Sequence, residues 1–149
     1  MTETPPDPAV EAHRWLGEAH EEVAVAQVLA ADDRLPARAA CFHAHLAAEK
    51  ALKALLILRE VKLKFSHDLA LLTGMLAADD AALFDIDDLA ALNPWTIEGR
   101  YPADLADSAS SDVKDLVAAA SRVVSAANSP VEAPDGLTEP GPPSPPSAV

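Results

Sequence analysis

Residues 37–59 have the clearest helical periodicity in the chain, and they constrain the fold more than any other segment. The stretch is rich in alanine, leucine and lysine and contains no glycine or proline, a composition that favours an α-helix. With about 100° between successive residues, one arc of this helix is apolar and the opposite arc is polar. The apolar arc contains Ala40, Ala44, Ala47, Ala48, Ala51, Leu55 and Leu58, and the polar arc contains Arg38, His43, Glu49, Lys50 and Lys53. We expect a central helix, whose small apolar side chains let neighbouring helices approach closely.

Further helices are predicted on both sides of this segment. Apolar residues recur at spacings of three and four in residues 9–31 and again from about 104, more clearly from 111, to 127. A third helix is predicted from Asp68 to about Ala78 with Ser66 as its cap, followed by a short helical piece ending near Leu92. Residues 60–65 alternate apolar and charged side chains, but no second strand is available to pair with them, so we interpret them as an extended connection. The prediction is an all-α, up-and-down bundle of four to five helices.

Composition divides the chain into three parts. Residues 1–8 are predicted to be a disordered arm, residues 9–127 the helical bundle, and the proline-rich residues 128–149 a disordered tail. Aromatic residues make up only 4% of the sequence, which favours packed helices over a β-sheet. The single cysteine permits no intramolecular disulfide, and neither a signal peptide nor an 18-residue apolar run is found. These features predict a cytoplasmic protein that does not enter the membrane.

The charge of the chain is unevenly distributed. The net charge is −13, which disfavours binding to nucleic acid. Between Arg34 and His67, however, seven basic and two acidic residues give a local balance of +5. This segment could present a basic surface to an anionic ligand or an acidic partner, or it could be the ordinary solvated face of a helix.

Three short motifs together carry a family resemblance. They are FHAHLAAEKALKALL at residues 42–56, His67-Asp68-Leu69, and Asn93-Pro94 followed by Arg100-Tyr101-Pro102. In their order and spacing they resemble the short stand-alone HEPN domain proteins of bacteria and archaea, over roughly residues 10–127. The resemblance implies a helical bundle that forms homodimers.

The resemblance also implies a candidate catalytic pair, Arg38 and His43. HEPN proteins that are ribonucleases use an arginine followed after four to six residues by a histidine, and two such pairs meet across a homodimer. In metal-independent cleavage through the RNA 2′-hydroxyl, His43 would move a proton and Arg38 would stabilise phosphate charge. Alternatively, Arg38 is a solvated side chain and His43 a surface or packed one, since the two lie about 140° apart around a helix.

The other candidate site residues would bind a nucleotide or a partner. Arg100 and Tyr101 could hold a phosphate and stack on a base, or Arg100 could pair with an acid between Asp85 and Asp88. Lys50 and Lys53 belong to the basic face of the central helix, with Lys53 and Glu49 expected to pair on its surface. The histidine spacings do not suit a metal, and we expect neither a metal nor a cofactor.

Two functions are consistent with these features. The first is a dimeric interaction module that works with a minimal nucleotidyltransferase in a toxin–antitoxin pair, a partner implied by the resemblance. Phe42 and Leu46, apolar residues on the polar side of the central helix, suggest the dimer interface. The second is a metal-independent endoribonuclease that uses Arg38 and His43. Nucleotide binding, as the family name suggests, is a third hypothesis.

Overall fold

The computed structural model describes residues 4–96 and 110–132. This part of the chain contains six α-helices and no β-strand, so the all-α prediction is confirmed. The helices are α1 (Pro8–Ala31), α2 (Ala37–Leu58), α3 (Leu69–Gly74), α4 (Ala78–Ala81), α5 (Ile86–Leu92) and α6 (Ser110–Glu132). Arg100 and Tyr101 lie outside the described residues, as does the chain beyond residue 132.

Helix α2 is the centre of the bundle, and the long helices α1 and α6 both pack against it. Every residue of its predicted apolar arc is buried except Leu58, which is half-buried. Leu52 and Leu56 are also fully buried, because the smaller helices cover a further side of α2. This enclosure corrects the helical-wheel prediction for Glu49 and Lys53, which are buried with 4% and 9% of their surface exposed rather than facing solvent.

Two of the three short helices, α3 and α5, begin at aspartate caps. Asp68 Oδ1 accepts hydrogen bonds from the backbone of Ala70 and Leu71, and Asp85 Oδ1 accepts one from Asp87. The predicted cap, Ser66, lies two residues before the actual cap Asp68, and its hydroxyl accepts a hydrogen bond from Asp68 N. The predicted helix from Asp68 to Ala78 ends at Gly74, a residue type with low helix propensity, and a separate turn forms α4.

A left-handed residue ends α2 and redirects the chain. Glu60 has a φ of 57°, Val61 N donates to Leu56 O, and Glu60 N donates to Ile57 O, which together form a Schellman motif. Residues 61–64 then run without regular secondary structure toward α3, as the sequence predicted. Helix α6 continues to Glu132, five residues beyond its predicted end and into the predicted disordered tail, because Val131 extends its buried stripe. None of the helices in the described ranges is long and apolar enough to cross a membrane.

Candidate functional site

The central helix carries two separate carboxylate–histidine clusters. The first joins α1 to α2 through Glu22, whose Oε2 lies 2.6 Å from His43 Nδ1 and whose Oε1 accepts from Lys50 Nζ at 3.0 Å. Since an ionised carboxylate only accepts hydrogen bonds, His43 Nδ1 carries the proton. Burial raises the pKa of Glu22, but His43 and Lys50 together lower it by more, so its pKa lies below the ordinary value.

This geometry separates the candidate catalytic residues. His43 is half-buried against α1, whereas Arg38 is exposed and makes no hydrogen bond or ion pair with any described residue. The five-residue spacing puts the two side chains about 140° apart around α2 and about 7.5 Å apart along its axis. Within one chain, Arg38 and His43 are therefore not brought together.

The second cluster surrounds the buried carboxylate of Glu49. His67 Nδ1 donates to Glu49 Oε1 at 2.7 Å, and Lys53 Nζ donates to Glu49 Oε2 at 3.2 Å. Burial raises the pKa of Glu49, but His45, His67 and Lys53 outweigh that effect and hold its pKa at about 2. Glu49 is thus an ionised side chain in the core, with a cation or hydrogen-bond donor at each oxygen.

His45 links this cluster to α5. Its Nδ1 donates to the carbonyl oxygen of Leu92 at 2.9 Å, which satisfies an acceptor at the end of that helix. Its Nε2 lies 3.5 Å from Glu49 Oε1 and has no hydrogen-bond partner among the residues that the structure describes. The expected surface pair of Glu49 and Lys53 does form, but it forms inside the bundle.

Lys53 is also held by an aromatic ring. Its Nζ lies 6.0 Å from the ring centroid of Trp15 on α1, at the outer limit of a cation–π contact. Trp15 Nε1 in turn donates to Glu11 Oε1 at 3.3 Å. With Glu49 on one side and Trp15 on the other, Lys53 stabilises the junction of α1 and α2, and little of it is accessible to a ligand.

Two of the sequence motifs meet beside the Glu49 cluster. Asn93 Oδ1 accepts from Leu69 N at 2.8 Å, and Asn93 Nδ2 donates to Asp68 Oδ1 at 3.1 Å. Hydrogen bonds from Asn93 and from the backbone of α3 lower the pKa of Asp68. Asn93 therefore joins the start of α3 to the end of α5. A cleft of about 420 Å³ opens here and is lined by Phe65, Ser66, His67, Asp68, Asn93 and Thr96.

Most of the basic residues between Arg34 and His67 are paired with carboxylates. Arg34 binds Asp32, and Arg59 binds Asp80 through two hydrogen bonds of 2.8 and 3.0 Å, in addition to the pairs of Lys50 and Lys53. Arg38, Lys62 and Lys64 are exposed. The continuous basic surface considered from the sequence is therefore interrupted.

The acidic segment of α5 and the predicted dimer interface also have defined contacts. Both carboxylate oxygens of Asp88 accept from Arg122 of α6, at 2.9 and 2.8 Å. Asp88 was one of the acids considered as a partner for Arg100. Phe42 and Leu46, the residues suggested for a dimer interface, are half-buried rather than fully exposed.

The two clusters hold and orient charge, because Glu22 and Glu49 each bind a histidine and a lysine. Neither cluster contains a serine, threonine or cysteine nucleophile, and residues 4–96 and 110–132 contain no group of three or more His, Cys, Asp or Glu side chains arranged to hold a metal ion. Sequence reasoning missed Glu22 and Asn93. The i, i+4 spacing of His45 and Glu49 was a usable signal, whereas the contact of Glu22 with His43 depends on how two helices pack.

Comparison with protein families gives one match. A family model described as the HEPN domain matches residues 12–129, which is most of the chain. The match spans all three sequence motifs, including Asn93-Pro94 and Arg100-Tyr101-Pro102. Neither the curated proteins nor the solved structures gave a match.

Proposed function

Since the chain belongs to the HEPN domain family, we propose that it is a dimeric, non-catalytic interaction module. Its partner in this proposal is a minimal nucleotidyltransferase encoded beside it, and the two proteins form a toxin–antitoxin pair. We place both in the cytoplasm, because the one cysteine of the chain, Cys41, is a free and buried thiol. The partner is taken from the sequence resemblance, and the non-catalytic role is supported by the following observation.

Most of the basic residues between Arg34 and His67 form ion pairs within the chain. Four of the seven basic residues between Arg34 and His67 are bound to carboxylates: Arg34, Lys50, Lys53 and Arg59. Binding to RNA requires several cations that are free to contact phosphates, and the chain carries a net charge of −13. This arrangement suits a protein partner better than a long polyanion.

The alternative function is a metal-independent endoribonuclease, and one contact favours it. Glu22 holds His43 through Nδ1, and Nε2 makes no hydrogen bond to a described residue. A carboxylate that fixes one imidazole nitrogen orients the other for proton transfer. Arg38 would have to come from a second copy of the chain, because the two residues do not meet within one chain.

Degradation of total RNA in EDTA separates these functions. The wild type is compared with Arg38→Ala, His43→Ala and Glu22→Gln, each checked for helicity and oligomeric mass. The interaction module predicts no cleavage by the folded wild type. Cleavage that disappears in Arg38→Ala and His43→Ala and weakens in Glu22→Gln would identify an endoribonuclease and overturn the non-catalytic proposal.

Co-expression with the adjacent nucleotidyltransferase tests the partner. The proposal predicts one complex in size-exclusion chromatography with light scattering, and separate elution of the two proteins would contradict it.

ATP tests the nucleotide hypothesis, since a ligand that binds the folded state raises the melting temperature in a saturable way. Arg100→Ala and Tyr101→Ala should reduce that shift if these residues contact the nucleotide, and Glu18→Gln, an exposed change on α1, is the control.

A further inference from the structure

An apolar groove lies between α3 and α5. Its volume is about 280 Å³, and it is lined by Ala70, Thr73, Gly74, Ala81, Ile86, Leu89, Ala90 and Asn93. The lining residues recur at spacings of three and four on both helices, so two apolar stripes face the same space. Ile86 is 77% exposed at the edge of the groove.

Small side chains and one glycine leave this groove open. A Cβ atom placed on Gly74 would meet no other atom within 4 Å. Ligand sites for drug-sized molecules have volumes of roughly 300–1,000 Å³. The groove, at about 280 Å³, lies at the lower edge of this range and is large enough for one aromatic side chain.

A highly exposed aromatic residue lies close to this groove. Phe65 is 99% exposed, and its ring contacts the ring of His67 edge-on, with 5.8 Å between the ring centroids. A phenyl ring exposed to this degree leaves a large apolar area in water, which marks an interaction site when it is part of a patch. Asn93 lines both the cleft beside Phe65 and the apolar groove, so the two features are neighbours on the surface.

The charges around the two features are complementary. Lys62 and Lys64 precede Phe65, and both are exposed without an ion pair to any residue in the described ranges. Asp85 and Asp87 flank Ile86 at the groove, and both are likewise exposed and free of ion pairs there. A basic segment with an exposed phenyl ring therefore lies near an apolar groove that has two exposed carboxylates beside its residue Ile86.

We propose that the groove binds Phe65 of a second copy of this chain. Each copy inserts its Phe65 between α3 and α5 of the other, and Lys62 and Lys64 approach Asp85 and Asp87 of that second copy. The Phe65 ring and the groove are adjacent in each copy. A single two-fold axis therefore places each ring in the groove of the other copy, and the assembly closes as a dimer. This inference rests on the dimeric state in the proposed function and identifies its interface.

Two variants test the interface from its opposite sides. Phe65→Ser removes the inserted ring, and Gly74→Gln fills the groove from within a helix, where a side chain meets open space and helix propensity improves. Gly17→Gln is the matched control, since Gly17 is also a helical glycine whose Cβ position is open. Light scattering should show a dimer for the wild type and Gly17→Gln, with a dimer dissociation constant at least about tenfold higher for both test variants.

Cysteine trapping gives the position of the contact directly. Chains with Phe65→Cys are mixed with chains carrying Gly74→Cys, and disulfide formation with oxidised glutathione is followed on non-reducing gels. We expect heterodimer crosslinks to form faster than in a mixture of Phe65→Cys and Gly17→Cys chains. Cys41 is buried in every variant and does not compete.

The outcomes separate this inference from the proposed function. A wild-type dimer that survives both Phe65→Ser and Gly74→Gln, without the specific crosslink, overturns the groove interface but leaves the dimeric module intact. It would point instead to Phe42 and Leu46. A monomeric wild type overturns the interface and the dimeric state together, while the RNA and partner experiments still test the function.

Discussion

Glu49 and His67 are 18 residues apart in sequence, yet His67 Nδ1 donates to Glu49 Oε1 at 2.7 Å inside the bundle. The contact fixes the connection between α2 and α3 against the central helix. Together with the hydrogen bond from His45 to Leu92 O, it connects α2 to the segment before α3 and to the end of α5. The Glu49 carboxylate is at the centre of these contacts, and its charge is balanced by its neighbours.

Replacing Glu49 with glutamine should destabilise the protein strongly. Glu49→Gln keeps the shape but removes the charge, so the largely buried Lys53 loses its counter-ion and the partly exposed His67 loses a charged acceptor. We expect a loss of about 2–3 kcal/mol in the free energy of unfolding. Urea unfolding followed by circular dichroism measures it, with the exposed Glu18→Gln as the control. Equal stability of the two variants would show that the buried charge is dispensable.

The same carboxylate predicts a specific pH dependence. The pKa of Glu49 is lowered from 4.5 to about 2 on folding, so its contribution is complete above about pH 4.5 and is lost as the pH falls toward 2. A shift of this size corresponds to about 3 kcal/mol. Because glutamine resembles the protonated acid, the stability difference between wild type and Glu49→Gln should shrink between pH 5 and pH 2.5. A difference that is constant over this range would contradict the assignment.

Glu60 offers a stabilising substitution. Its φ of 57° is in the left-handed region, which costs a residue with a side chain roughly 1–2 kcal/mol. Glycine adopts this conformation freely but loses more entropy on folding, so Glu60→Gly should stabilise the protein by about 0.5–1 kcal/mol. Thermal unfolding checks the prediction, and Glu60→Ala, which keeps a Cβ, is the control. A lower melting temperature for Glu60→Gly than for Glu60→Ala would refute it.

Cys41 should report on opening of the core. Burial raises the pKa of its thiol from 9.0 to about 11, an effect only partly offset by a backbone hydrogen bond. At pH 8 the native thiolate fraction is then about a hundredfold smaller than in the unfolded chain. Reaction with a disulfide reagent should be at least about a hundredfold slower in buffer than in concentrated urea. Equal rates would mean that α2 is not enclosed as described.

The sequence determined the helices, because each long helix is encoded by local signals. Periodicity and composition located α1 and α2 to within one residue of their ends, and Asp7 Oδ1 accepts a hydrogen bond from Ala9 N at the start of α1. The extended connection after α2 was also correct, since no strand partner exists for it in the described residues. The family was recognised from the order of three short motifs and is confirmed by the match over residues 12–129.

Only the tertiary structure decided which polar residues of α2 face solvent. A helical wheel assumes one buried face, but α2 is covered by α1, α6 and the short helices, so Glu49 and Lys53 lie inside the bundle. The partners of these residues come from distant segments, such as Glu22 for His43 and His67 for Glu49. Such contacts depend on how helices rotate and pack against each other, and residue order along one helix does not encode that rotation. The same packing binds His43 to α1 and opens the groove beside Gly74.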